Sequence, residues 1–176
     1  MKHYALYGFI SALAGAFLIL ILYFLGFQSD AAHMGISNWV GGLLGFVIGI
    51  TCIVLGVKAR REDVPLTEEF GFGKSFKAAF MVSIFSTIFG DIFNTVYLGF
   101  INPAINDSRL QERLAALENS GMAGDKLDHA ESMTRTMFGL GPQAAIYLII
   151  GAIIGVILSL IVAGFLTRPA TLPPKV

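Results

Sequence analysis

The sequence predicts an all-α polytopic membrane protein: a four-transmembrane-helix bundle with an amphipathic helical hairpin in its third, outer connection. Three observations predict it. Four apolar runs, residues 4–27, 39–57, 78–101 and 144–166, carry one charged residue between them, Asp91. Each is long enough to cross a hydrocarbon core of ~30 Å, which takes about 20 helical residues. The chain is 55% hydrophobic and 14% charged, with a mean hydropathy of +0.73, whereas a soluble domain carries about 25% charge. The third is helical patterning in the connection 102–141.

The first run follows Lys2 and His3, and Ser29-Asp30-Ala31 resembles a cleavage site. Its apolar stretch is well beyond the 7–15 residues of a secretory h-region, so a retained membrane helix is expected. Gly26, Ser29 and Asp30 end it, and Trp39 opens the second run as an interfacial aromatic. Lys58-Ala59-Arg60-Arg61 stops the second. Asn102-Pro103 ends the third, and Gly139, Gly141 and Pro142 precede the fourth, which closes at Arg168-Pro169. Residues 1–168 read as one membrane domain and 169–176 as a disordered Pro-rich tail. Cys52, the only cysteine, reads as a small hydrophobe in the second helix.

Positive charge sets the expected orientation. The first loop, residues 28–38, has no Lys or Arg. The second has Lys58, Arg60, Arg61, Lys74 and Lys77. The third has Arg109, Arg113, Lys126 and Arg135, offset by Asp107, Glu112, Glu118, Asp125, Asp128 and Glu131. The second loop and both termini are therefore expected in the cytoplasm.

Inside lipid, small residues let helix backbones approach closely. Gly41, Gly45 and Gly49 share one face of the second helix, and Gly151, Gly155, Ser159 and Ala163 share one of the fourth. Gly8, Ala12 and Ala16 do so on the first, beside Ser11 and Gly15. These faces suit packing within the chain or dimerisation. On the third helix Ser83, Thr87, Asp91 and Asn94 line one side, with Thr95 beyond. A carboxylate facing lipid costs ~2.5–3.5 kcal/mol even on the lenient insertion scale. The stripe should therefore face inward. Asp91 lies about 14 Å along the helix from Phe100, in the outer half of the membrane. It reads either as a proton or cation site in a transport path, or as an interhelical hydrogen-bonding residue.

In the outer connection, Ser108 and Gln111 form a capping-box signature ahead of Leu110, Leu114 and Leu117, and Gly121 suits a helix stop. A second helix begins near Asp125, with Leu127, Ala130, Met133 or Thr134, and Met137 on its apolar side. The hairpin would cap the bundle, lie in the interface or meet a partner. Asp125 and His129 stand one turn apart without a second nearby histidine, so no metal site is expected. Gly73-Lys74-Ser75 copies the end of a phosphate-binding loop, but Glu68 stands where its first glycine belongs and no strand precedes it. Nucleotide binding is rejected. Phe70 to Lys77 reads instead as an interfacial elbow, with Lys74 and Lys77 reaching for anionic lipid headgroups. There is no basic patch for nucleic acid, and no spacing joins His33 or His129 to a nucleophile.

Tyr7-Gly8 near the start, the basic stop after the second helix, Phe72-Gly73-Lys74-Ser75-Phe76-Lys77 leading into the third, and Asn102-Pro103 at its end share a pattern. With the charged outer loop and the glycine-rich last helix, the chain resembles domain of unknown function 4199. That resemblance implies a bacterial inner-membrane protein of four helices, with no assigned activity; Asp91 has no match in its pattern. The functional expectation is a non-enzymatic integral membrane protein without cofactors. It would act through helix contacts, as an accessory subunit beside a membrane-protein partner or as a homo-oligomer in the lipid bilayer. The alternative is a small proton- or cation-coupled transporter using Asp91.

Overall fold

The computed structural model describes residues 2–28 and 31–171, of which 31–34 are described by backbone alone. The expected helix ends at Ser29 and Asp30, and the tail residues 172–176, lie outside the described residues. Among the described residues six α-helices follow in order: α1 Lys2–Phe24, α2 Ala31–Glu62, α3 Phe72–Val96, α4 Pro103–Glu118, α5 Asp125–Met137 and α6 Leu140–Phe165. A π-helical turn, Tyr97–Ile101, carries α3 on to Asn102. Four spans among the described residues are long and apolar enough to cross a membrane: Lys2–Phe24, Gly35–Glu62, Phe72–Ile101 and Leu140–Phe165. The chain is a multi-pass membrane protein.

The helices outrun their apolar runs. α2 has 32 residues, or about 48 Å at 1.5 Å per residue, beginning eight positions before Trp39 and continuing through the basic stop. Polarity marks where lipid ends; backbone hydrogen bonding continues into water. Arg60 and Arg61 in the last turn of α2 also suit the negative end of the helix dipole. α3 likewise starts at Phe72, so Gly73-Lys74-Ser75 forms its first turn and the expected elbow shifts back to residues 63–71. Pro142 belongs inside the first turn of α6, where its missing N–H has no partner to lose.

The capping box at Ser108 is a misreading. Asn102-Pro103 starts α4 five residues earlier, with proline at the first position, and Ser108 Oγ donates to Ala104 O at 2.9 Å from within the helix. The stop at Gly121 (φ 79°) and the start of α5 at Asp125 lie where the sequence places them.

α3 is the axis of the packing. It touches α1, α2 and α6, while α2 and α6 scarcely meet. The contacts are close because glycine stands at the crossings. A Cβ added at Gly8 would lie 2.5 Å from Phe85 Cβ and 2.8 Å from Ser86 N. At Gly56 it would lie 2.6 Å from Val82 Cγ2, and at Gly151 2.8 Å from Thr87 Oγ1. At Gly155 it would press on Ser83. The expected faces of α1 and α6 thus pack within the chain. The face of α2 does not: Gly41 reaches Leu22 Cδ1, but a Cβ at Gly45 or Gly49 would meet nothing within 4 Å. α2 crosses α3 at Gly56, a residue outside the expected set.

One end is sealed by Ile53, Val57, Val64, Phe70, Ala78, Ala79, Val82 and Val162. Arg168 locks it. Its backbone pairs with Phe70 through two 2.9 Å bonds, and its guanidinium donates to Val64 O (2.8 Å), Pro65 O (3.0 Å) and Arg61 O (3.3 Å). Thr171 N and Oγ1 both donate to Leu66 O at 2.9 Å. The start of the expected tail is therefore part of the fold, held because the loop carbonyls at 61–66 need donors. His3 Nε2 and Arg60 Nη1 each lie 3.3 Å from Asp63 Oδ2 at this end.

At the other end α4 seats Ile105 against Tyr97 and Leu98. α5 packs chiefly on α4 and buries no residue. Outward, α6 presents Ile149, Ile153, Ile157 and Ile161, each more than half exposed, a stripe suited to lipid.

Two predictions follow from the packing. Gly151→Ala lowers stability in detergent by about 1–3 kcal/mol, the scale of overpacking, whereas Gly45→Ala is neutral or stabilising; thermal unfolding compares them. Arg168→Ala makes the 63–71 loop the first site of limited proteolysis, and Arg168→Lys, which cannot fork across three carbonyls, gives an intermediate rate.

Candidate functional site

Between α2 and α6, where the two helices scarcely meet, α1 and α3 form the floor of a cavity of 840 Å³. The void follows from the sequence of α2: Gly41, Gly42, Gly45 and Gly49 supply walls without side chains to fill it. Its hydroxyl and amide groups come from all four long helices. Ser11 from α1, Ser37 and Asn38 from α2, and Ser83, Ser86, Thr87 and Asn94 from α3 line it. Gln143 and Tyr147 enter from α6. Ser86 Oγ donates to Ser11 Oγ at 3.0 Å, fixing α1 to α3 at mid-depth.

The hairpin end is the polar one. Tyr97 OH donates to Gln28 Oε1 and accepts from Asn102 Nδ2 at 2.9 Å. Gln28 Nε2 donates to Ser37 Oγ at 3.2 Å. These bonds join the turn after α1 to the start of α2 and to the π-helical turn. Asn102 N donates to Tyr97 O at 2.8 Å across that turn, which helps aim the phenol at Gln28. Gln143 Nε2 donates to Asn106 Oδ1 and to Phe138 O, both at 2.7 Å, tying α6 to α4. Arg109, from α4, completes this end of the lining.

Opposite it the lining turns apolar, with Ile53, Ile154 and Leu158. The cavity walls thus combine hydroxyls, amides, aliphatic groups and one guanidinium. They can bind a molecule with a polar end and an apolar body.

The polar stripe read on α3 divides. Ser83, Thr87 and Asn94 face the cavity; Asp91 is not among its described walls. Four residues advance a helix by about 40° beyond a full turn, and that places Asp91 on the flank of the stripe. It is buried, at 8% exposure, its Oδ1 has no hydrogen-bond partner in the described structure, and Tyr147 lies within electrostatic reach. Lys74 does not extend freely: its Nζ lies 3.3 Å from Glu68 Oε2 and donates to Glu69 O at 2.9 Å. Lys77 is exposed. Among the described residues no group of three His, Cys, Asp or Glu side chains could hold a metal ion.

Arg109, Gln28, Tyr97, Gln143 and Tyr147 are site residues that sequence reasoning passes over. Each is unremarkable alone. The one available signal is the concentration of amides and phenols at helix ends facing the long connection. For Asp91, the geometry predicts that Asp91→Asn keeps the folded yield, since an amide fits the same space and keeps hydrogen-bonding groups where the carboxyl stands. Asp91→Leu loses them, and a size-exclusion profile of both variants reads the difference.

The family described as "Protein of unknown function (DUF4199)" matches residues 6–168. No curated protein and no solved structure matches the chain. The matched segment takes in α1 from residue 6, the whole of α2 to α6 and every residue that lines the cavity, and the chain belongs to this family of unknown function.

Proposed function

We propose that this is a non-enzymatic binding protein of the bacterial cytoplasmic membrane, taking an amphiphilic lipid from the bilayer into the cleft between α2 and α6. The observation that carries the reading is the cleft itself: an intramembrane cavity, polar at the hairpin end and apolar below, in a size range typical of ligand sites. Lys58, Arg60, Arg61, Lys74 and Lys77 between α2 and α3 favour a cytoplasmic loop there, with both termini on the same side. The hairpin end then faces out.

A second reading, an accessory or homo-oligomeric subunit acting through helix contacts, draws on the unfilled glycine face of α2. The hydroxyl, amide and guanidinium groups of the lining argue against it at this cleft, because an apolar helix face seated there would leave them without partners. Transport through Asp91 gains nothing from a cavity whose described walls omit it.

One measurement separates the readings. A photo-crosslinking phenylalanine analogue is placed at Phe46, which lines the cleft, or at Val47, which is exposed and outside the lining. Irradiation in native membranes and mass analysis should give a lipid adduct at Phe46 well above that at Val47. Equal yields at both positions would overturn a cleft-specific site. A polypeptide adduct of this chain's own mass, or of another protein's, would favour the second reading.

A further inference from the structure

We propose that Arg109 makes the cleft selective for a phospholipid whose headgroup carries net negative charge, with its phosphate at Arg109 and an acyl chain descending toward Ile53 and Leu158. This deepens, and rests on, the lipid-binding reading of the cleft.

The first support is the state of the arginine. Arg109 is half-buried and lines the cavity, yet its guanidinium has no hydrogen bond or ion pair among the described residues. Arg60, Lys74 and Arg168 are by contrast engaged with carboxylate or carbonyl oxygens. A planar guanidinium beside a cavity, with its donors unspent, suits bidentate pairing with a phosphate better than a lysine would. It also lies within electrostatic reach of Tyr97, whose hydroxyl is held by Gln28 and Asn102. The cation therefore stands beside an ordered polar rim.

Second, the lining contains no carboxylate among the described residues. A choline or ethanolamine group bound there would meet the arginine and no counter-charge. A headgroup of hydroxyls would meet the side chains of Ser37, Asn38 and Asn94 instead. The charge pattern favours a net anion over a zwitterion.

Third, the dimensions fit a lipid entering from one leaflet. From Gln143 to Leu158 along α6 is about 22 Å at 1.5 Å per residue, and one leaflet of a ~30 Å core is about 15 Å. The cleft runs from the headgroup level past the midplane, polar where a headgroup sits and apolar where a chain lies. Its glycine wall on α2 leaves the space a chain would occupy.

The test uses the full-length protein in nanodiscs of equal parts phosphatidylglycerol and phosphatidylcholine, with the photo-crosslinking residue at Phe46. In the otherwise unaltered chain, phosphatidylglycerol adducts should exceed phosphatidylcholine adducts about tenfold, the scale of one charge-assisted hydrogen bond. Arg109→Gln should bring the ratio near one while total lipid adduct persists. Arg135→Gln, exposed on α5, should leave the ratio unchanged. An unfolding midpoint equal to that of the parent shows that Arg109→Gln is folded. A ratio near one in the parent, or one that Arg109→Gln fails to lower, overturns the headgroup assignment and leaves the cleft reading standing. Absence of any lipid adduct overturns both.

Discussion

Close approach of backbones at α3 is the constraint on which the rest depends. Between helices in lipid there is no hydrophobic drive to association, and the attraction comes from dispersion at short range plus a few hydrogen bonds. Such forces need near contact. Gly8 against Phe85 and Ser86, Gly151 against Thr87, and Gly155 against Ser83 provide it on two flanks of α3. Gly56 admits Val82 on a third. Once three helices are fixed to one axis, the position of α2 relative to α6 is no longer free, and their separation becomes a permanent feature.

Glycine therefore does two opposite things in this molecule. On α1 and α6 it removes a side chain so that a neighbour can occupy the space. At Gly45 and Gly49 of α2 it removes a side chain where no neighbour arrives, and the space stays open. The difference lies in direction. α2 leans on α1 and α3 through Gly56, Ile53 and Val57, so its four-residue glycine row lines the gap facing α6. The unequal ends follow from the same arrangement. Arg168 and Phe70 close the end at the 63–71 loop with backbone pairs and a buried aromatic. The hairpin end is held by a chain of side-chain amides and phenols, which leaves polar groups at that end of the cavity.

Asp91 shows how an isolated polar residue can mislead. The cost of a carboxyl in lipid demands that it be sheltered, and it is. Shelter between α3 and its neighbours is a different matter from access to a cavity. Tyr147 lines the cavity and lies within electrostatic reach of Asp91. The arginine that lines the hairpin end of the cavity lies on a charged amphipathic helix, where its sequence context is ordinary. Ser83, Thr87 and Asn94, chosen for their spacing with Asp91, reach the cavity for the simpler reason that they occupy the adjacent strip of α3.

From the sequence alone came the helix number, the membrane class, the two helices between α3 and α6 with the α4 stop and the α5 start, and the small-residue faces of α1 and α6. These are legible because hydropathy, proline and glycine act locally along the chain, on the scale of one turn. Helix ends in water were harder, since Ala31 to Asn38 and Lys58 to Glu62 remain helical without being apolar. Tertiary structure alone decided that Gly45 and Gly49 face a void, that Arg168 closes one end, and that Arg109, Tyr97, Gln28 and Gln143 converge at the other. Those outcomes depend on the rotation and tilt of whole helices, set by the sum of many weak contacts between residues far apart in sequence, and no local pattern records that sum.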